Sequence, residues 1–236
     1  MDTPTLNLVY FIKDSVYNPE LKYSLRSVET NLRNISVWFV GGKPTGLVPD
    51  HCLVFNQRAK TKWANVAHTL REFLYCKDAP EEFILMNDDF FVMKPVDNIR
   101  PAFCGSLATL GATIIVKNGF RPSAYTKRLE TASEALWSHN LPTLNFELHR
   151  PMPIKRDWMR RVYEQFGEDT PCKRSLYGNL FLEAIQPTVA PDCKVTRDTD
   201  LVPDSEFLST EDSSFASGKI GKIIKDAFPN KSRYER

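Results

Sequence analysis

The sequence is poor in the features that hold small secreted proteins together or place a chain in a membrane. Among its 236 residues there are only five cysteines, Cys52, Cys76, Cys104, Cys172 and Cys193. The count is odd and no two have CxxC spacing, which argues against a disulfide scaffold and against a zinc knuckle. Reduced thiols in a cytoplasmic protein are the expectation. No apolar run reaches the length that spans a bilayer, so any membrane association is expected to be peripheral. The start, Met1-Asp2-Thr3-Pro4, lacks the basic-then-apolar pattern of a secretory leader. A dominant charge is missing too. The 31 Lys and Arg against 29 Asp and Glu leave +2 at pH 7, too balanced to mark a nucleic-acid binder. There is no internal repeat, no low-complexity linker and no GxxxxGK[ST] phosphate loop. What remains is ordinary for a globular protein: 42% hydrophobic, 25% charged and about the length of one large domain.

Against that background one stretch stands out. Phe83-Ile84-Leu85-Met86 runs into Asn87-Asp88-Asp89, and Phe90-Phe91-Val92-Met93 follows at once. The first block reads as a buried strand of a parallel sheet, central in it. Asp88 and Asp89 then sit at its carboxyl end, where ligands bind in open α/β sheets. Adjacent carboxylates repel unless a cation joins them, and Mg²⁺ or Mn²⁺ suits oxygen ligands and substrate phosphates. Asp and Asn also serve plain turns. Two apolar flanks favour the site, because burying unpaired charge is costly.

The rest of the chain supplies an α/β frame. Leu6 to Ile12 reads as the first strand, with Asp14 behind it as a candidate ligand contact or a turn residue. Glu20 to Leu32 is a helix with Leu21, Leu25, Val28 and Leu32 on one face; Arg26 lies off its centre, a candidate anion contact or a solvated cation. Ile35 to Val40 and Cys52 to Phe55 are strands. Trp63 to Tyr75 is a helix, and Lys62 at its start is a candidate phosphate partner. The order strand, helix, strand, strand, helix, strand predicts a mainly parallel sheet flanked by helices in a single α/β domain. Residues 112–116 read as a strand and 127–138 as a helix. Alternation of Leu144, Phe146 and Leu148 predicts a strand that shows Asn145, Glu147 and His149 on its polar face. Ile154 to Phe166 and Leu180 to Ile185 read as helices, with Lys173 and Arg174 ahead of the second. Residues 207–215 read as a loop held at both ends, able to close over a ligand, and Gly218 to Arg236 as a basic, solvated tail.

Three blocks resemble one known group, the Stealth family of capsular-polysaccharide and related hexose-1-phosphate transferases. Glu20 to Glu29 is similar to its ELRYSLRS segment. Phe83 to Val96 is similar to its YLNDDxFLxKPV block, with Asn87, Asp88, Asp89, Lys94, Pro95 and Val96 matching. His149-Arg150-Pro151, Arg156-Asp157 and Arg174-Ser175 resemble a later HxP…R…R-S block. The family's opening VYTWVDGSD is here Val9-Tyr10-Phe11-Ile12-Lys13-Asp14, which keeps little of it. The resemblance implies a glycosyltransferase-A-like α/β core acting on a nucleotide sugar, most commonly a UDP-sugar. It implies Asp88 and Asp89 as a DxD-like site for Mn²⁺ or Mg²⁺, with Asn87, Asp14 and Arg26 near the donor and His149 and Arg174 near the transferred group. On this reading residues 1–96 form the donor-nucleotide half, 97–215 the acceptor and catalytic half, and 216–236 the basic tail.

Two reactions fit. In glycosyl transfer, Arg26 and Lys62 help stabilise the leaving diphosphate, and Glu147 orients or deprotonates the acceptor hydroxyl. In sugar-phosphate transfer, His149 is the base or phosphate contact and Arg174 steadies the equatorial oxygens. Loss of the opening motif favours glycosyl transfer, to a glycan or to a modified DNA base, the latter supported only by the basic tail. A non-catalytic nucleotide- or glycan-binding module is the alternative, and a metal-dependent nuclease a further one that wants more clustered carboxylates.

Overall fold

Apolar strands alternating with one-sided helices build the expected parallel sheet. A computed structural model of the protein describes residues 5–13, 15–197 and 204–236. In chain order the elements are β1 (Leu6–Ile12), α1 (Pro19–Asn31), β2 (Ile35–Gly41), β3 (His51–Val54), α2 (Lys62–Tyr75), β4 (Glu82–Met86), β5 (Phe90–Val92), β6 (Ala102–Phe103), α3 (Leu107–Lys117), α4 (Ala124–Ser138), β7 (Met152–Lys155), α5 (Arg156–Phe166), α6 (Lys173–Leu180), α7 (Leu182–Ile185), β8 (Thr188–Val189), β9 (Lys194–Val195), β10 (Phe207–Thr210), α8 (Asp212–Ala216) and α9 (Lys219–Ala227). The main sheet has the order β3-β2-β1-β4-β7, with β1 parallel to both β2 and β4 and β2 parallel to β3. The chain forms two compact units: Met1–Ile99 with His149–Ile154 and Asp192–Arg236, and Arg100–Leu148 with Lys155–Pro191.

In the first unit β1, not β4, is the middle strand. Leu8, Val9 and Tyr10 are fully buried, so both faces of β1 are covered. Helix α1 starts where Asn18 caps it, accepting from Leu21 N at 2.9 Å, and Pro19 stands at its first turn. Leu21, Leu25 and Val28 then pack into a core with Leu8, Tyr10, Phe39 and Phe90. A second stripe of α1 is polar and has a different task. Ser24 Oγ donates to the carbonyl of Phe90, Ser27 Oγ accepts from Val92 N at 3.0 Å, and Asn31 Nδ2 donates to Val92 O at 2.7 Å. These side chains satisfy the edge of β5 that no strand among the described residues covers, while its other edge pairs antiparallel with β10. The short strand behind the acid pair is therefore fixed on both sides.

Two C-terminal expectations are corrected. Residues 207–215 are not a loop able to close. Phe207, Leu208, Ser209 and Thr210 are buried as strand β10, and α8 follows. The tail is not solvated either. Phe215, Ile220, Ile224 and Phe228 form a core with Phe91 and Leu208, and Tyr234 is 1% exposed. Glu235 then forks onto Arg26, Oε1 to Nε at 2.7 Å and Oε2 to Nη2 at 2.8 Å. The tail's apolar residues recur at helical spacing, and this decides the outcome over its many cations.

In the second unit three expectations change. Residues 112–116 belong to helix α3, not to a strand: Ser106 caps it, accepting from Thr109 N at 3.0 Å, and Leu107 and Gly111 make its buried face. Residues 144–148 are extended, and on one edge they pair briefly with 104–107: Ser106 bridges Leu144, and Asn145 accepts from Cys104 N at 3.0 Å and donates to Gly105 O at 3.1 Å. On the other edge Asn179 bonds both backbone groups of Leu144, at 2.9 Å each, and Ser175 Oγ accepts from Phe146 N at 3.1 Å, so there α6 side chains stand in for a partner strand. The helix expected at 180–185 begins earlier, as α6 and then α7. Gly178 is required in α6, because a Cβ there would lie 2.5 Å from the Phe146 ring.

Candidate active site

Strand β4 ends at Met86, and the chain reverses at once, Phe90 N donating to Asn87 O at 3.2 Å. This turn sets Asp88 and Asp89 at the carboxyl end of β4. Asp88 Oδ2 accepts from Asn18 Nδ2 at 2.6 Å, so the residue that caps α1 also holds the first carboxylate. Asp89 Oδ2 accepts from Ser209 Oγ at 2.9 Å and lies 3.7 Å from Lys194 Nζ. Strands β10 and β9 thus position the second. Glu20, in the first turn of α1, is buried, and its Oε1 accepts from Thr210 Oγ1 at 2.6 Å.

These acids share one field. Burial pushes the Glu20 carboxyl up to about 7; the Thr210 hydrogen bond opposes this, and the charges of Asp89, Asp212 and Asp88 add to it. Burial likewise raises Asp88, and the Asn18 hydrogen bond only partly offsets burial and the charge of Asp89. Carboxyls raised first by burial and further by the negative charge of their neighbours are a setting that a hard divalent cation relieves, and the donors are all oxygens. The residues fit Mg²⁺ or Mn²⁺. Among the described residues no group of three or more His, Cys, Asp and Glu side chains gathers to hold a metal. An ion at Asp88 and Asp89 would therefore complete its shell with substrate oxygens and water.

A second cluster joins the first through the chain. His149 Nδ1 donates to Asp192 Oδ2 at 2.8 Å, and His149 N donates to Asp192 Oδ1 at 2.8 Å. Burial alone would raise Asp192, but the hydrogen bonds and charge of His149 hold it below the usual carboxylate range. The Cys193 thiol donates to His149 O at 2.8 Å, and Lys194 follows with its ammonium beside Asp89. Residues 192–194 therefore connect the His149 pair to the acid pair inside the first unit.

The other sequence candidates lie elsewhere. Arg26 is 6% exposed, and its guanidinium is spent on Glu235 and on the carbonyls of Phe228 and Pro229, both at 3.0 Å, so it is a structural tie and not a donor contact. Lys62 is on the exposed first turn of α2, its Nζ 5.5 Å from the Trp63 ring centroid. Glu147 Oε1 accepts from Ser175 N at 3.0 Å and Oγ at 3.1 Å, holding the start of α6. Arg174 is buried and donates to Leu148 O at 2.7 Å. Both belong to the second unit, where their bonds support its backbone. Asn87 gives its carbonyl to the turn, and Asp14 lies outside the described residues.

Asn18, Glu20, Asp192, Lys194, Ser209, Thr210 and Asp212 were not legible as site residues. Only Asn18-Pro19-Glu20 carries a local signal, that of a helix start, which says nothing of Asp88 seventy positions on. Beside Asn18 a cavity of about 160 Å³ opens between Tyr17, Lys22, Gly46, Lys231 and Arg236. It is smaller than the roughly 300–1,000 Å³ typical of ligand pockets.

No family model matches the chain, and no curated protein matches it. Solved structures do. The galactosyltransferase LgtC in complex with donor and acceptor sugar analogs aligns over 97% of this chain and 98% of its own, with a TM-score of 0.51 and 11% identity. An active-site mutant of LgtC gives the same values. The apo-form glycosyltransferase GlyE of Streptococcus pneumoniae TIGR4 aligns over 97% of this chain at 10% identity, with a TM-score of 0.45, and this chain spans 61% of GlyE. What the chain has in common with LgtC is the fold, a mixed α/β architecture with a mainly parallel central sheet. No helix among the described residues is long and apolar enough to cross a membrane.

Proposed function

We propose that the protein is a nucleotide-sugar-dependent glycosyltransferase whose donor site is the turn bearing Asp88 and Asp89. The observation that carries this is the acid cluster of Asp88 and Asp89 at the carboxyl end of β4 with Glu20 from α1 and Asp212 from α8, in a fold like that of LgtC. Asp88 and Asp89 would hold Mn²⁺ or Mg²⁺, which when bound supplies neutralisation of the donor diphosphate. Asn18 and Ser209 orient the two carboxylates. Lys194, beside Asp89, adds positive charge where the leaving diphosphate gathers negative charge. The donor is a UDP-sugar and the acceptor a glycan hydroxyl. The basic tail that lent support to a DNA acceptor is packed into the fold, and that acceptor loses its argument.

His149 takes the role of base toward the acceptor hydroxyl. Asp192 fixes its ring through Nδ1, which leaves Nε2 as the proton acceptor in the neutral tautomer. Glu147, engaged by Ser175, is the poorer candidate. The same His149–Asp192 pair also favours a second reading, transfer of the sugar phosphate, in which His149 serves the attacking hydroxyl at phosphorus.

Thermal melts with UDP, GDP, CDP and ADP, each with and without Mn²⁺, test the donor site in the native protein and in Asp89→Ala. A rise that needs one nucleotide and the metal together, and vanishes in Asp89→Ala, supports it. No rise with any pair refutes the metal–diphosphate reading. Mass analysis of the product separates the two reactions, since phosphate retained on the acceptor means sugar-phosphate transfer.

A further inference from the structure

The turn between α3 and α4 has a composition and a conformation that its own unit does not explain. Residues 98 to 129 contain no Asp or Glu but five cations, Arg100, Lys117, Arg121, Lys127 and Arg128. At the chain's average, 29 acids in 236 residues, those 32 positions would hold about four. The helix within this stretch is apolar yet poorly covered. Of the eleven residues of α3 only Leu107 and Gly111 are buried, and Val116 is 57% exposed.

Phe120 is the more pointed observation. Helix α3 ends with Phe120 N donating to Ile115 O at 2.8 Å and Gly119 N to Val116 O at 3.1 Å. That ending needs one left-handed residue, and Gly119 supplies it at φ +67. Phe120 is left-handed as well, at φ +62, where a bulky side chain is strained. An apolar residue at this position ordinarily folds back on the last turn of the helix. Here it does not: Phe120 is 78% exposed. The backbone holds an aromatic ring outward at a cost, with Lys117 and Arg121 exposed on either side and Lys127 exposed in the first turn of α4.

We propose that this turn is a membrane-surface anchor, placing Phe120 and Val116 in the headgroup layer of an anionic bilayer while Lys117, Arg121 and Lys127 meet lipid phosphates. Two features favour a lipid surface over a protein partner. The tip is a short connection between two helices whose residues 118–122 are all exposed, where a partner protein would need a matching pocket, whereas a headgroup layer yields around it. Its chemistry is an apolar wedge flanked by cations, with the first acid after it Glu130, one turn beyond Lys127, and that is how peripheral segments bind anionic membranes. The anchor is independent of the donor site, since every residue named lies in the second unit.

Cosedimentation of the full chain with vesicles tests it, using phosphatidylcholine alone and phosphatidylcholine with about one-third phosphatidylglycerol. Binding to the anionic vesicles is expected, weakened by high salt and small on the neutral ones. Lys117→Glu with Arg121→Glu is expected to lower partitioning at least about twenty-fold, at roughly five-fold per charge removed. The decisive variant is Phe120→Gly. Glycine relieves the left-handed strain, so the melting temperature is expected to hold or rise while partitioning falls about ten-fold. That combination cannot come from unfolding. Equal binding by Phe120→Gly and the native chain, even if salt-sensitive, would mark a mere polyanion contact and overturn the proposal. So would absence of binding to the anionic vesicles.

Discussion

Replacing Glu235 by Gln tests whether the C-terminal segment is a structural clamp. In the native protein the Glu235 carboxylate forks onto Arg26, takes hydrogen bonds from Ser232 N at 2.9 Å and Oγ at 3.3 Å, and has Lys22 at 3.4 Å. Burial works to raise its carboxyl, but the Arg26 and Ser232 hydrogen bonds and the charges of Arg26 and Lys22 outweigh it and bring it from 4.5 to about 2. A carboxyl depressed in the fold is ionised more readily folded than unfolded. Its contribution is complete above about 4.5 and is lost as pH falls through the window down to about 2. At about 1.36 kcal/mol per unit, the shift sets a ceiling near 3.4 kcal/mol, which solvent reaching the edge of the site lowers to about 2. The amide adds a second loss, because its NH₂ faces the guanidinium and leaves the Arg26 charge buried without a counter-charge. Urea unfolding at pH about 7 is expected to place Glu235→Gln roughly 2–3 kcal/mol below the native protein. Near pH 2.5 most of the window from 4.5 down to about 2 has been crossed, so little of that contribution is left and the gap is expected to shrink to under about 1 kcal/mol. A gap of the same size at both pH values would refute the charge argument. A gap below about 0.5 kcal/mol at pH 7 would show that the segment does not clamp α1 at all.

Other outcomes follow from the same geometry. Glu20→Gln is expected to act with the opposite sign: the Glu20 carboxyl, raised to about 7, costs stability as it ionises between about 4.5 and 7, so the variant should gain on the native protein by up to about 2 kcal/mol from pH 5 to 8 in urea titrations. Ser27→Ala removes the acceptor for the buried Val92 N and should lower unfolding free energy by about 1–3 kcal/mol. Gly178→Ala drives a methyl into the Phe146 ring, with an expected loss of about 1–3 kcal/mol in the same assay. Asp192→Asn should leave the melting temperature within a few degrees and cut kcat about ten- to hundred-fold, with KM for the donor unchanged, as befits a residue that orients His149.

How much of this was legible follows from what each contact depends on. The parallel sheet was readable because Leu6 to Ile12, Ile35 to Val40 and Phe83 to Met86 are continuous apolar runs, and such runs report burial on both faces wherever the partners come from. The acid pair was readable for the same reason: two charges interrupting an apolar run must be satisfied by something. What satisfies them was not readable. Asn18 reaches Asp88 across 70 positions and Ser209 reaches Asp89 across 120, and neither spacing leaves a trace in local periodicity. The errors share that origin. The segment at 144–148 alternates like a strand, and its alternate side chains are indeed buried, but Asn179 and Ser175 from a later helix occupy the backbone positions where a neighbouring strand would pair. Arg26 sits directly before Ser27 of the stripe that supports β5, so a ligand role was a fair reading until its counter-charge proved to be Glu235, 209 positions away. Residue type announces that a buried polar group has a partner; only the fold decides whether that partner is a substrate or the protein itself. In this chain the two cases separate by charge balance. Arg26 and Glu235 neutralise each other and leave nothing for a ligand, whereas Asp88, Asp89, Glu20 and Asp212 crowd together with Lys194 alongside Asp89, and on that excess of negative charge the proposed metal–diphosphate site rests.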